Sequence, residues 1–421
     1  MKCAFFTHRT SRLFCYSQPY AIRKMPPVNS NHPIQNSSLT ADEQLALAVH
    51  GDSPARVKAA LVSGADPDYC EKGTPMIIFA CNSRGLMVLR TLLAYGGNPH
   101  QGDNRGFSGM HMASQCGHWR AIQLLLQQGV SARVQDKNSW TPLHYATFMG
   151  HRRAAHQLLL AGADPNSADL NGRTPMYWGP IIHDDVKMAR MLVRYGATVR
   201  TTDRLGKTPL HYAAQQAQTS IVERFISYGA NLHARDQDGY TALHYAAQLY
   251  APNTVILLLQ NGADFRAPDR HGNTPLHLAA RPYVVEALLQ AGADPLAQNK
   301  CGQSPLDLAI GPRRGVAGWA AVAMLRHSPK VSPMTLCRLL RNTVRRAIWI
   351  RASNELVSEL LHRGVSPASL GAQDFQLMLA HVGRYNQANQ TTGIPPRILQ
   401  MVRILTNQGL LIPSDLTSEL L

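Results

Sequence analysis

The feature that most constrains this chain is a tetrapeptide that returns at a nearly fixed interval. It reads Thr74-Pro75-Met76-Ile77, Ser108-Gly109-Met110-His111, Thr141-Pro142-Leu143-His144, Thr174-Pro175-Met176-Tyr177, Thr208-Pro209-Leu210-His211, Thr241-Ala242-Leu243-His244, Thr274-Pro275-Leu276-His277 and Ser304-Pro305-Leu306-Asp307. The spacings are 34, 33, 33, 34, 33, 33 and 30 residues. A second signal keeps step with it: Gly64-Ala65-Asp66-Pro67, Gly162-Ala163-Asp164-Pro165, Gly262-Ala263-Asp264 and Gly292-Ala293-Asp294-Pro295, each after a leucine-rich stretch. Two signals in register point to one repeated supersecondary unit, and 421 residues exceed what a single ordinary core organises.

Each unit has a physical reading. Thr supplies a helix N-cap, and Pro occupies the first helical position, where the missing N–H costs nothing. Pairs such as Ala213-Ala214 and Ala246-Ala247 allow close helix contact. A second helix carries apolar residues at i, i+3 and i+4, as in Ile122, Leu125 and Leu126. Gly closes it in a left-handed cap, and Asp203-Arg204-Leu205-Gly206 exemplifies the turn before the next Thr-Pro. One such pair of helices cannot bury its own apolar face, so the units must stack into a solenoid.

On these residues the chain resembles the ankyrin-repeat family over about residues 40–330. The resemblance implies an all-α solenoid of helix-turn-helix units with β-hairpin tips. Ala41 to Pro67 reads as an N-terminal unit without its own Thr-Pro-Leu-His, and the unit opening at Thr274 is three residues short. Trp178-Gly179-Pro180 should interrupt the first helix of the unit opening at Thr174. The expected organisation is a disordered basic segment over 1–38, the array over 39–330, and divergent helical hairpins over 331–421 that cap it.

Charge narrows the possible partners. The net +16 is concentrated: residues 1–41 hold five Lys and Arg with no acid, and nine more lie between Asp307 and Glu355, again with none. The remainder is close to neutral, which disfavours a general nucleic-acid binder. The longest near-apolar run, Gly315 to Leu325, falls short of the roughly 20 residues of a membrane-spanning helix. Seven cysteines at irregular spacing, with no C-x-x-C pair, suggest a reducing compartment, so the cytoplasm or nucleus is expected. The N-terminal composition also fits a mitochondrial transit peptide, as a second possibility.

His111, His144, His211, His244 and His277 recur in phase. One per repeat, about 10 Å apart, they cannot close on a metal that needs ligands at about 2 Å, and each should instead bond turn backbone at its helix start. No phosphate loop, nucleophile elbow or H-E-x-x-H is present. No catalytic residue, cofactor or metal is therefore expected, and the chain reads as a non-enzymatic scaffold for another protein, monomeric by itself.

The resemblance places partner contacts on the hairpin tips and the inner helix face. The residue before each Thr-Pro is expected to project there: Phe107, Trp140, Arg173, Lys207, Tyr240 and Asn273. The expected partner-binding set is Phe107, Lys137, Trp140, Phe148, Met149, Arg204, Tyr240, Leu249 and Arg270, rich in the aromatics and Arg of interface hot spots. Tyr145, Tyr177, Tyr212 and Tyr245 read as one aligned core position.

Leu336 to Arg351 predicts an amphipathic helix, with Leu336, Leu339, Leu340, Val344, Ala347 and Ile348 apolar and Arg338, Arg341, Arg345 and Arg346 basic. Two alternatives attach to it. The basic face could bind nucleic acid or an acidic partner. Pro333 to Arg338 also resembles the start of a SOCS-type box, which would make the chain a substrate-recognition subunit of a cullin-type ubiquitin ligase.

Overall fold

The computed structural model describes residues 39–82, 86–249, 251–279, 281–310, 318–328, 331–345, 353–389 and 393–410. The basic segment expected over 1–38, together with Arg346, Ala347 and Ile348, lies outside these residues.

Thr-Pro opens most of the inner helices as its chemistry requires. The Thr141 hydroxyl accepts the His144 amide while the His144 ring accepts the Thr141 amide, which is a capping box with histidine in the usual glutamate place. The inner helices are Ala41–His50, Met76–Asn82, Gly109–Cys116, Pro142–Phe148, Pro209–Gln215, Ala242–Gln248, Pro275–Leu278 and Pro305–Ala309. Their outer partners are Pro54–Val62, Leu86–Ala94, Trp119–Gln127, Arg152–Leu160, Thr219–Ser227, Pro252–Gln260, Pro282–Gln290 and Gly318–Arg326. Inner helices pack on inner and outer on outer along the stack. The core is therefore a continuous strip of residues such as Leu143, Leu158, Leu210, Val222, Leu243 and Leu276, all fully buried.

The unit opening at Thr174 is interrupted as expected. Its inner element is a 3-10 turn, Pro175–Tyr177, followed by the short helix Gly179–Ile182, and its outer helix is Val186–Arg194. The break lets the chain approach the preceding inner helix closely. A Cβ on Gly179 would lie 2.3 Å from the Thr147 carbonyl oxygen, so only glycine fits.

The tips are mostly turns. Among the described residues, Cys70–Glu71 pairs antiparallel with Thr74–Pro75, and a single bridge joins Gly102 to Ser108. Later tips are closed by one bond of the Asp136 N–H to Trp140 O type, and they are joined to each other by backbone: Lys137 N–H to Arg105 O at 2.8 Å, Arg204 N–H to Asn171 O at 2.8 Å and Arg270 N–H to Asp238 O at 2.9 Å.

Past residue 330 the same pairing continues with longer helices. Pro333–Arg345 packs on Ser353–His362 and on Ala372–Asn389, and Pro396–Asn407 packs on Ser353–His362. Leu336, Leu339, Leu340 and Val344 are buried in this stack.

Candidate partner-binding face

Three local devices shape the inner face. The first is the histidine at each helix start. His144 Nδ1 accepts the Thr141 amide, so its ring proton sits on Nε2 and is donated at 3.1 Å to the carbonyl of Arg173, 29 residues on. His111, His244 and His277 reach Trp140, Asn273 and Gln303 in the same way, each at 3.1 Å, and His211 reaches Tyr240 at 3.0 Å. Each ring thus caps its own helix and ties it to the next unit. Burial pushes His111, His144 and His244 down to about 4, which keeps them neutral. Both ring nitrogens are committed to the scaffold. No group of three or more His, Cys, Asp or Glu among the described residues could hold a metal ion.

The second device is a buried aspartate in six successive tips, Asp103, Asp136, Asp169, Asp203, Asp236 and Asp269. Asp136 Oδ1 accepts the Asn138 and Trp140 amides at 2.8 and 2.9 Å, and Oδ2 accepts the Tyr145 hydroxyl at 2.7 Å. Asp203 with Tyr212, at 2.7 Å, and Asp236 with Tyr245, at 2.6 Å, repeat the arrangement. Burial, reinforced by the neighbouring carboxylate, pushes the Tyr145 and Tyr245 hydroxyls far up, so they keep their protons and donate them to the aspartates.

Tyr177 does not belong to that tyrosine register. It stands where the other units have histidine, and its hydroxyl donates to the Thr201 and Lys207 carbonyls at 2.7 and 3.0 Å, Lys207 being the acceptor a histidine would reach. Trp178 then occupies the tyrosine register. This double replacement leaves Asp169 Oδ2 and Thr174 Oγ1 buried without a hydrogen-bond partner.

The third device is the residue before each Thr, and here the structure corrects the expectation of projecting tips. From Trp140 to Asn273 its amide bonds the tip aspartate and its carbonyl bonds the preceding unit's histidine or tyrosine, whereas Phe107, which follows a unit with Ile77 in that place, bonds Asp103 through both its amide and its carbonyl. The backbone is thereby held on both sides and the side chain is turned into the seam between units. Phe107 is 1% exposed, against Tyr145 at a centroid distance of 5.3 Å. Trp140 is 7% exposed, against Trp178 at 5.0 Å and Tyr145 at 5.1 Å. Neither is an exposed anchor.

Arg173 and Lys207 hold the same position, and the sequence did not reveal their role. The Arg173 guanidinium lies 5.6 Å from the Trp178 ring centre and 5.4 Å from that of Tyr212, donates to the Tyr212 hydroxyl at 3.1 Å and stands 3.6 Å from Asp203. The Lys207 ammonium lies 5.6 Å from Tyr212 and 4.6 Å from Tyr245. Burial lowers the Lys207 pKa, opposed by Asp236 and Asp203. Rings and cations thus alternate along the face as Trp178, Arg173, Tyr212, Lys207, Tyr245. The signal was available in two basic residues at a position that is aromatic in the other central units.

The remaining expected residues divide by position. Phe148, Met149, Tyr240 and Leu249 are half-buried at the edge of this row, with Phe148 against Trp140 and Trp178 and Tyr240 stacked on His244. Lys137, Arg204 and Arg270 are exposed at the tips.

The arginines of the C-terminal basic helix are not a bare cationic face. Arg338 bonds Asp307 at 2.9 Å, Arg341 bonds the Ser369 carbonyl at 2.9 Å and Arg345 bonds Asp374 at 2.5 Å. These bonds tie the helix to the units before and after it. Leu336, the leucine of the SOCS-like segment, is buried in the same stack.

Stacked helical hairpins with capped starts, linked tips and a continuous inner face define a repeat solenoid that offers surface to other proteins. The ankyrin-repeat model, described as ankyrin repeats in three copies, matches residues 45–136, 79–169, 154–236 and 217–299. The chain belongs to the ankyrin-repeat family, generally a non-enzymatic module for protein–protein interaction. It is similar to the human ASB11 ankyrin repeat domain, whose crystal structure matches at 27% identity and TM-score 0.48 over 53% of this chain and 100% of that one. No curated protein matches. No helix among the described residues is long and apolar enough to cross a membrane.

Proposed function

We propose that this chain is an adaptor that holds another protein against its inner face. Phe148, Met149, Tyr240 and Leu249 form the apolar contact, and Lys137, Arg204 and Arg270 form a basic rim. The observation that carries this reading is the half-exposed edge of a row whose deeper members, Trp140, Trp178, Arg173 and Tyr245, are buried and fixed. A contact set already immobilised loses little side-chain freedom on binding, which favours affinity. The cysteine pattern supports placing the chain in the cytosol or nucleus.

The test is affinity purification with the full chain beside a variant carrying Phe148→Ser, Leu249→Ser, Arg204→Ser and Arg270→Ser, both with melting curves. Proteins held by this face should fall sharply in yield, since a hot-spot residue is worth about 2 kcal/mol or more. Equal recovery with the folded variant would assign the partner elsewhere.

A further inference from the structure

The near neutrality of the array conceals an uneven surface. The tip carboxylates Asp103, Asp136, Asp169, Asp203, Asp236 and Asp269 are 5–9% exposed, so they contribute little to the outer surface. On the outer side, the helices Trp119–Gln127, Arg152–Leu160 and Val186–Arg194 contain no acid at all. They lie side by side, joined by Gln123 to Gln157 at 2.9 Å, Arg152 to Asp185 at 2.6 Å and His156 to Tyr195 at 3.2 Å. Arg120, Arg153, Lys187, Arg190 and Arg194 are all exposed there. Arg153, Lys187, Arg190 and Arg194 have no ion pair among the described residues. The exposed acids Asp164 and Asp184 sit in the flanking turns, and the patch ends where the next outer helix carries Ser220, Glu223 and Ser227. Leu160, 60% exposed, ends the middle helix, two turns beyond Arg153 on the same side.

We propose that this outer surface docks an acidic amphipathic helix of a partner protein. Lys187, Arg190 and Arg194 run down one helix at i, i+3 and i+7, with neighbours about 5–6 Å apart, the spacing of Glu or Asp on one face of a second helix. Arg120 and Arg153 extend the cations across neighbouring helices at about 10 Å intervals. Charge complementarity selects the acidic side chains. Leu160, at the end of the helix whose Gln157 meets the neutral Gln123, selects a protein segment over a phosphate backbone, because an apolar side chain on the helix gains contact there and a phosphate chain does not. The surface is separate from the inner face, so either reading can fail alone.

The experiment uses the full chain and fluorescence anisotropy with a labelled helical peptide of about 18 residues, Glu at i, i+3, i+4 and i+7 and Leu beside them. Lys187→Glu with Arg190→Glu and Arg194→Glu should weaken binding at least about tenfold, with the wild-type affinity falling as salt rises. Leu160→Ser should weaken it several-fold, while Arg204→Glu with Arg270→Glu should leave it unchanged. Lys187→Gln with Arg190→Gln and Arg194→Gln provides a milder set if charge reversal lowers the melting temperature. Unchanged peptide affinity in the folded variants overturns the proposal. So does an equal loss in the tip variant, which would mean that net charge alone attracts the peptide. Oligothymidylate or phosphatidylserine vesicles binding this patch more tightly than the peptide would overturn it in favour of a phosphate-bearing partner.

Discussion

Tyr145 donates its hydroxyl hydrogen to Asp136, nine residues earlier in the chain, at 2.7 Å in a buried seam. The same oxygen on Asp169 has no such donor, because Trp178 stands nine residues on. The first pair shows what the scaffold normally does with a buried carboxylate, and the second shows one unit in which it does not.

Tyr145→Phe should therefore destabilise the array by about 1–3 kcal/mol, the cost of leaving a buried acceptor unmet. Tyr245→Phe should behave alike, because its partner Asp236 is held in the same way. Urea unfolding would measure both, and a loss near zero would mean that water replaces the phenol without cost.

Acid should loosen the array through its histidines. In the folded chain His111, His144 and His244 sit at about 4, below the roughly 6.5 of an unfolded chain. Between those values the unfolded chain binds more protons, so the contribution of these rings is complete above about pH 6.5 and is lost as pH falls towards 4. Each ring is worth on the order of 3 kcal/mol at the acid end. Urea midpoints should fall steadily from pH 7 to pH 4.5, and a flat profile would show that the rings titrate freely.

Trp140→Ala should remove about 3–5 kcal/mol of stability, as large-to-small changes in a core do. Arg270→Ala, at an exposed tip, should stay within about 0.5 kcal/mol. Thermal melts of the two variants separate a core side chain from a surface one. If Trp140→Ala melts like the parent, the ring is not part of the seam.

The period was legible because it recurs eight times, and the capped helix starts, the interruption at Trp178 and the bond of each histidine at its own helix start were legible because each depends on residues within one unit. The direction of Phe107 and Trp140 was not legible. Composition marks an aromatic as a good contact without saying whether the contact is with a partner or with the next unit. Tyr177 was misread by one register because it shares a residue type with Tyr145 while doing the work of a histidine. Arg338 and Arg345 read as a basic face open to a partner because their carboxylates, Asp307 and Asp374, lie 31 and 29 residues away. That distance is close to one repeat, a signal that charge counting within a single helix does not capture.

The forward reach of each histidine gives the array an order in time. As the chain leaves the ribosome, the ring proton of His144 has no acceptor until Arg173, 29 residues later, arrives to take it. Each helix start that carries a histidine is then finished one unit late, by sequence that did not exist when the helix was made. The rungs end at Asp307, where the histidine is replaced by a carboxylate and Arg338 closes the junction. A chain paused in translation anywhere between His111 and that ionic rung would carry one incomplete joint at its growing edge.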